Sequence, residues 1–311
     1  MTAILESTVE DQVAPDHRAN VGVKRTSSFG RVLRVVTAMF MLLWIVPSVG
    51  LLVTSFRTAD DARQNGWWNA FRSTDLTFDN YRSVLGAGGL GRAVVNSLLI
   101  AIPSTLFPLT VALFAGYAFS WMHFRYRELI FTVTVALMVV PVQMALVPLL
   151  SAFSRGVSLG DTTIFPGLDQ PLLRLWLVNT AYGLPLATYL MRNYISSLPG
   201  EVIAAARVDG ASAVGIFWRI VIPLSKPAIA SFAIFQFLFV YNDYLVAVTF
   251  VGLDRDTAPV TVILADLVGS RGENAHLLTA GAWVSMIVPL GVFFAFQRQF
   301  VSGLTAGAVK S

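Results

Sequence analysis

The stretch "EVIAAARVDG", residues 201–210, runs on through "ASAVGIFWRIVIPLSKP" to Pro227, a short charged patch between long apolar blocks. Pro199 suits a first helical turn, where its missing N–H is no loss. Glu201 suits the positive end of the helix dipole, and Ala204, Ala205 and Ala206 have the highest helix propensity. Gly210 is a natural left-handed stop. A helix of about ten residues follows, too short to hold itself in water. Its face of Val202, Ala205, Ala206 and Asp209 is small enough for close approach to another surface. Ser212 is placed to cap a second short helix carrying Ile216, Phe217 and Ile220, stopped at Pro223, and Ser225 and Pro227 open the next apolar run. The segment therefore predicts a helix–turn–helix elbow. It either docks on a protein or lies on the lipid surface; the lack of a large apolar face and the few basic residues favour docking.

Outward from the elbow, the composition sets the class. Of 311 residues 55% are hydrophobic and 13% charged, against about 25% charged in soluble domains. Uncharged blocks lie between Arg34 and Arg57, Arg92 and Arg125, Glu128 and Arg155, Arg174 and Arg192, Lys226 and Asp254 (broken by Asp243), and Glu273 and Arg298. A span needs roughly 20 apolar residues. Six spans are expected, at 35–56, within 93–119, and at 129–152, 172–191, 228–251 and 277–297, the fourth being the shortest. The expected fold is all-α, a polytopic membrane protein, with kinks at Pro103, Pro108, Pro141 and Pro148. The organisation reads as a disordered inner tail over 1–30, a first span at 31–57, a five-span core over 93–298 containing the elbow loop 196–226, and an inner tail over 299–311.

Residues 1–30 do not read as a signal peptide, because the apolar run after them is too long for one. With both ends inside, the inner segments hold 13 basic and 7 acidic residues and the outer segments 9 and 10. The bias favours this orientation, and the inner loop "HFRYRE" supports it. The elbow then faces the cytoplasm. Trp67, Trp68 and Phe71 form either a headgroup belt or part of a docking surface, and "APVTVILADLVGS" (258–270) a re-entrant or surface element.

Several chemistries are excluded. There is no cysteine, which removes disulfides and thiolate sites. Lys24, Lys226 and Lys310 are never preceded by glycine, so no P-loop exists, and His17, His123 and His276 are scattered. No catalytic residue, metal site or cofactor is expected in this chain, and its basic residues read as orientation signals, not as a nucleic-acid surface. For a translocation path the candidates are Tyr241, Asn242 and Asp243, with Asn96, Ser97 and Gln143 behind them. Asp243 either lines the path or is structural, pairing with an Arg such as Arg174 or tying down a helix end. Asn96, Ser97 and Gln143 are the weaker candidates and suit helix–helix hydrogen bonds better.

These residues carry a resemblance. "DGASAVGIFWRIVIP" is similar to the second half of the cytoplasmic EAA loop of binding-protein-dependent ABC importer permeases. There EAA is followed after three residues by Gly, and nine residues later by I-x-L-P. Gly210 is followed after nine residues by Ile220-Val221-Ile222-Pro223. The alanines align at Ala205 and Ala206; the glutamate falls on Ala204, and Glu201 matches the acid that precedes the motif. "VVNSLLIA", "AGYAFSWMHFRYRELIF", "VVPVQMALVPL", "LVNTAYGLPL" and "VYNDYLVAV" resemble the maltose-type carbohydrate branch, in order, over about residues 35–300. The resemblance implies a sugar or oligosaccharide permease in a bacterial inner membrane, paired with a second related permease. It also implies two copies of an ATPase that hold ATP and Mg, and an extracytoplasmic binding protein. The coupling residues would be Glu201, Ala204, Ala205, Asp209, Gly210, Ile220 and Pro223. The alternatives are a permease for another polar solute such as glycerol phosphate, and an ion-coupled carrier or channel.

Overall fold

The computed structural model describes residues 28–71, 76–159, 162–268 and 274–306. The expected tails fall largely outside this range, at 1–27 and 307–311. Contacts divide the chain at Val49–Gly50. Up to Val49 the described residues belong to the helix α1 (Ser28–Ser55), which is apolar and exposed from Arg31 to Val49, Trp44 at 85%.

From Gly50 onward the order is α2 (Ala59–Gln64), α3 (Asp79–Leu85), α4 (Leu90–Trp121), α5 (Arg127–Ala136), α6 (Val142–Arg155), β1 (Val157–Leu159), β2 (Thr162–Phe165), α7 (Pro171–Ser196), α8 (Gly200–Val208), α9 (Ala213–Ile216), α10 (Ile222–Leu224), α11 (Lys226–Tyr241), α12 (Leu245–Val251), α13 (Val260–Leu267) and α14 (Ala275–Ala306). Among the described residues the fold is helical apart from the antiparallel β1–β2 hairpin and an isolated bridge between Arg57 and Leu76. The inner tail expected from 299 begins inside α14.

Among the described residues, three helices are long and apolar enough to cross a membrane: Gly30–Ser55, Leu90–Trp121 and Ala275–Gln297. Two bent pairs raise the number to five. α7 has the length, 26 residues, but not the apolarity. Two expected spans are not single helices. The third bends by 103° between Val139 and Val142, because Pro141 lacks an N–H and drives Val140 into an extended conformation, φ −69°, ψ 114°. The fifth stops at Tyr241 and restarts at Leu245. By contrast α4 carries Pro103 and Pro108 inside one helix of 32 residues.

α4 and α7 form the spine. Gly116 lies against Met191 and the Arg192 backbone, where an added Cβ would sit 2.9 Å from the Met191 Cβ; only glycine permits this crossing. At the opposite end of α4, buried Arg57 pairs with Asp61 at 2.6 Å, and Asn80 donates to the carbonyls of Ser55 and Arg57. Within "APVTVILADLVGS", α13 packs as a short helix, with Val260, Val262 and Ile263 buried; Gly269 and Ser270 lie outside the described residues.

Candidate functional site

The elbow forms where the local chemistry puts it. α8 ends at Val208 with Asp209 as its cap, after which Gly210 takes φ +79°. The Gly210 N–H donates to the Arg207 carbonyl at 3.1 Å and the Ala211 N–H to the Ala206 carbonyl at 2.9 Å, the paired bonds of a Schellman stop. Pro199 takes the N-cap position, just before the first turn where the sequence places it, and Gly200 opens the helix. Of the small face read from the sequence, Val202, Ala205 and Asp209 are exposed and Ala206 is half-buried; the residue that turns inward is Ile203, which that face does not include. Ile203 is 1% exposed, whereas Glu201, Ala204 and Val208 are exposed as well. The single large side chain takes the core, since burying it gains about 1.5–3 kcal/mol.

The second arm begins as the sequence predicts, with Ser212 Oγ accepting from the Gly215 N–H at 3.1 Å. It then widens into a π turn over Phe217–Val221, which places Phe217 and Val221 in the core and leaves Trp218 exposed. Phe217 stacks on Phe114 at 4.9 Å. Ile220 is half-buried and Pro223 exposed.

Three bonds fasten this hairpin to the spine. Tyr117 donates to the Ala213 carbonyl at 3.1 Å, Arg207 to the Trp121 carbonyl at 3.2 Å, and Tyr194 to the Leu224 carbonyl at 3.3 Å. Ile203, Ile216, Phe217 and Val221 share one apolar cluster with Leu109 and Ala112 of α4, Met191 and Ile195 of α7, and Phe232 of α11. An exposed small-residue face thus sits on a back that is continuous with the helix bundle.

Most path candidates are engaged elsewhere. Asn96 donates to the carbonyls of Asp256 and Ala258 at 3.0 and 3.1 Å, and Ser97 Oγ accepts from the Val260 N–H at 2.8 Å; both pin the segment before α13. Asp243 caps α12, accepting from the Ala247 N–H at 3.1 Å, while Arg174 donates to the Leu168 carbonyl. The helix-end alternative for Asp243 is the one observed. Buried Tyr241 donates to the Ser285 carbonyl at 3.3 Å, and Asn242 bonds back to Leu238 within its own helix. Gln143 is exposed on the first turn of α6.

The structure instead opens a cavity of about 350 Å³ where α5 gives way to α6, walled by α7 and α11. Leu137, Met138, Tyr182, Phe235, Gln236 and Phe239 face it. Tyr182 donates to the Val142 carbonyl at 3.1 Å, bracing the bend. Among the described residues, buried Gln236 makes only long bonds, at 3.4 and 3.5 Å, to the Ser104 and Asn179 carbonyls. Phe235 and Phe239 stack at 6.3 Å. Sequence reading missed this group, although Gln236 in "AIFQFLF" is an amide inside an apolar run, which has to meet another polar group.

Comparison with known proteins agrees with the geometry. The profile of the family described as "Binding-protein-dependent transport system inner membrane component" matches residues 108–305. The osmoprotective compounds uptake permease protein GgtD of Synechocystis is 47% identical, over 96% of this chain and 99% of the relative. The alpha-glucoside transport system permease protein AglG of Rhizobium meliloti is also 47% identical, over 82% of this chain and 68% of the relative. In fold, the chain is similar to a bacterial ABC transporter involved in the import of the acidic polysaccharide alginate, with TM-score 0.68 at 20% identity over 89% of this chain and 98% of that one. The same holds for a bacterial alginate ABC transporter in complex with an alginate pentasaccharide-bound periplasmic protein, with TM-score 0.60 at 15% identity over 86% and 95%.

Proposed function

The chain belongs to the family of binding-protein-dependent transport system inner membrane components, and from that premise we propose that it is the permease subunit of an ATP-driven sugar or oligosaccharide importer. ATP and Mg belong to a partner ATPase, consistent with the missing P-loop. The relatives named as permeases for osmoprotective compounds and alpha-glucosides support the solute class. In this reading a second, related permease completes the path, two ATPase copies sit on the cytoplasmic face, and an extracytoplasmic binding protein delivers the solute. The chain crosses the membrane six times, at α1, α4, the bent α5–α6 pair, α7, α11 with α12, and α14, with its ends in the cytoplasm.

The observation that carries the reading is the elbow. Its outer face, with Glu201, Ala204, Ala205, Asp209 and Gly210, is exposed while its inner residues sit in the core of α4, α7 and α11. Such an element transmits a push. Closure of the ATPase dimer moves the elbow and the bundle follows, so that two states with different contacts alternate. At Ala204 packing replaces the polar contact a glutamate makes, and Glu201 lies one turn away on the same exposed side.

The cavity supplies the path. Its lining residues carry no charge, which favours a neutral sugar over a phosphate ester. Aromatic walls with a few placed polar groups are the usual make-up of a small-molecule site, and Gln236 and Tyr182 meet hydroxyls here. The test is purification of the chain with its neighbours followed by sugar uptake in proteoliposomes. Stoichiometric ATPase and strictly ATP-dependent uptake support the reading; uptake that persists without the ATPase contradicts it.

A further inference from the structure

Two arginines from different parts of the chain converge on the last carbonyls of α4. Arg207, on the elbow, donates to the Trp121 carbonyl at 3.2 Å, and Arg127, at the start of α5, donates to the Met122 carbonyl at 3.2 Å. Helix C-terminal carbonyls lack internal partners and carry the negative end of the dipole, so guanidinium groups are favoured there. Glu128 extends the cluster. One of its oxygens accepts from Arg127 at 3.0 Å, the other from Arg192 of α7 at 2.8 Å. The Arg192 guanidinium in turn lies 3.9 Å from the ring centroid of Phe131, the buried residue of α5.

These contacts make one connected line from α8, through the end of α4, to α5. From Glu128 to Leu137 is about 14 Å of helix at 1.5 Å per residue, and Leu137 and Met138 form part of the cavity wall. The knot therefore grips one end of a short rod whose other end borders the cavity. Ion pairs this exposed add little to stability, about 0–1 kcal/mol each, so a purely stabilising role explains the convergence poorly.

We infer that this knot is the joint through which displacement of the elbow reaches the cavity wall, with Arg207 and Glu128 as positioning residues. The inference rests on the reading of the elbow as the ATPase-docking element. When the elbow moves, Arg207 draws the end of α4, and Glu128, held by Arg127 and Arg192, keeps α5 in step with α4 and α7.

The test uses the complete transporter, with both permeases, the ATPase and the binding protein, in proteoliposomes, reading uptake and ATP hydrolysis in the same vesicles. Arg207→Gln and Glu128→Gln are expected to retain wild-type amounts of bound ATPase and to lower the sugar moved per ATP about five- to tenfold, a usual range for coupling between sites. The double variant should be no worse than the weaker single one, because contacts in series are lost once. Arg207→Lys, which keeps the charge, should recover at least half of the ratio. Uptake per ATP unchanged in both single variants would make the knot a helix cap only and overturn the inference, as would effects that multiply in the double variant. Loss of bound ATPase in Arg207→Gln would make Arg207 a docking residue and also overturn it. If the wild-type complex itself shows no ATP-dependent uptake, the reading of the elbow fails, and the joint with it.

Discussion

Tyr117, near the end of α4, donates its hydroxyl proton to the carbonyl of Ala213, the first residue of α9, at 3.1 Å and across 96 residues of sequence. The bond fixes the turn of the elbow to the spine. Tyr117→Phe deletes it while keeping the ring against Phe217, 5.4 Å away. The expected loss of stability is about 1 kcal/mol. The larger effect should fall on uptake per ATP, since the elbow then moves more freely than α4. Thermal unfolding and coupled uptake assays separate the two.

Gly210 occupies the left-handed region at φ +79°, yet a Cβ added there meets nothing within 4 Å in this chain. Gly210→Ala should therefore cost only about 1 kcal/mol, from backbone strain. Gly210→Trp should insert into the membrane and fold, but lose the ATPase on purification, because the added ring stands on the docking face. Normal uptake by this variant would be incompatible with docking there.

Asp243 holds the N-terminus of α12 and does not face the cavity. Asp243→Ala should lower stability by about 1 kcal/mol, the usual cost of losing a side-chain cap, and Asp243→Asn should restore most of it. Neither should change the solute concentration for half-maximal uptake. A severalfold change in that concentration with Asp243→Asn would return Asp243 to the path.

Gln236 and Tyr182 should behave in the opposite way. Gln236→Leu preserves volume and removes the one amide among apolar walls, so half-maximal uptake should need about tenfold more sugar, the loss of one hydrogen-bonded contact. Melting temperature should change little, because the bonds Gln236 makes within the chain are long. Uptake titrations on the purified complex measure this.

What the sequence revealed and what it concealed divide along one line. The Ser212 cap and the Gly210 stop are decided by neighbours within four residues, and both were legible. Which side of α8 turns inward was not. It depends on Ile203 meeting Met191 and Ile195 from another helix, and alanine-rich faces look alike in sequence. Prolines show the same limit. Pro103, Pro108, Pro148 and Pro185 all sit inside continuous helices, while Pro141 breaks the chain, and only tertiary partners decide which carbonyls are satisfied again. Asn96 makes the internal hydrogen bonds that its setting favoured, but to the carbonyls of a returning loop and not to a second helix, and no local signal in the sequence names that partner.

The most direct measurement exploits the absence of cysteine in the chain. Val208→Cys places a lone thiol on the elbow at a position 88% exposed, and a short heterobifunctional reagent, thiol-reactive at one end and photoactivated at the other, applied to inside-out membrane vesicles tests what lies against it. One dominant adduct, with the ATPase subunit, is expected, and its yield should change when ATP is bound. Capture of no protein in vesicles that import sugar, with the thiol reacting only with lipid-phase probes, would contradict it.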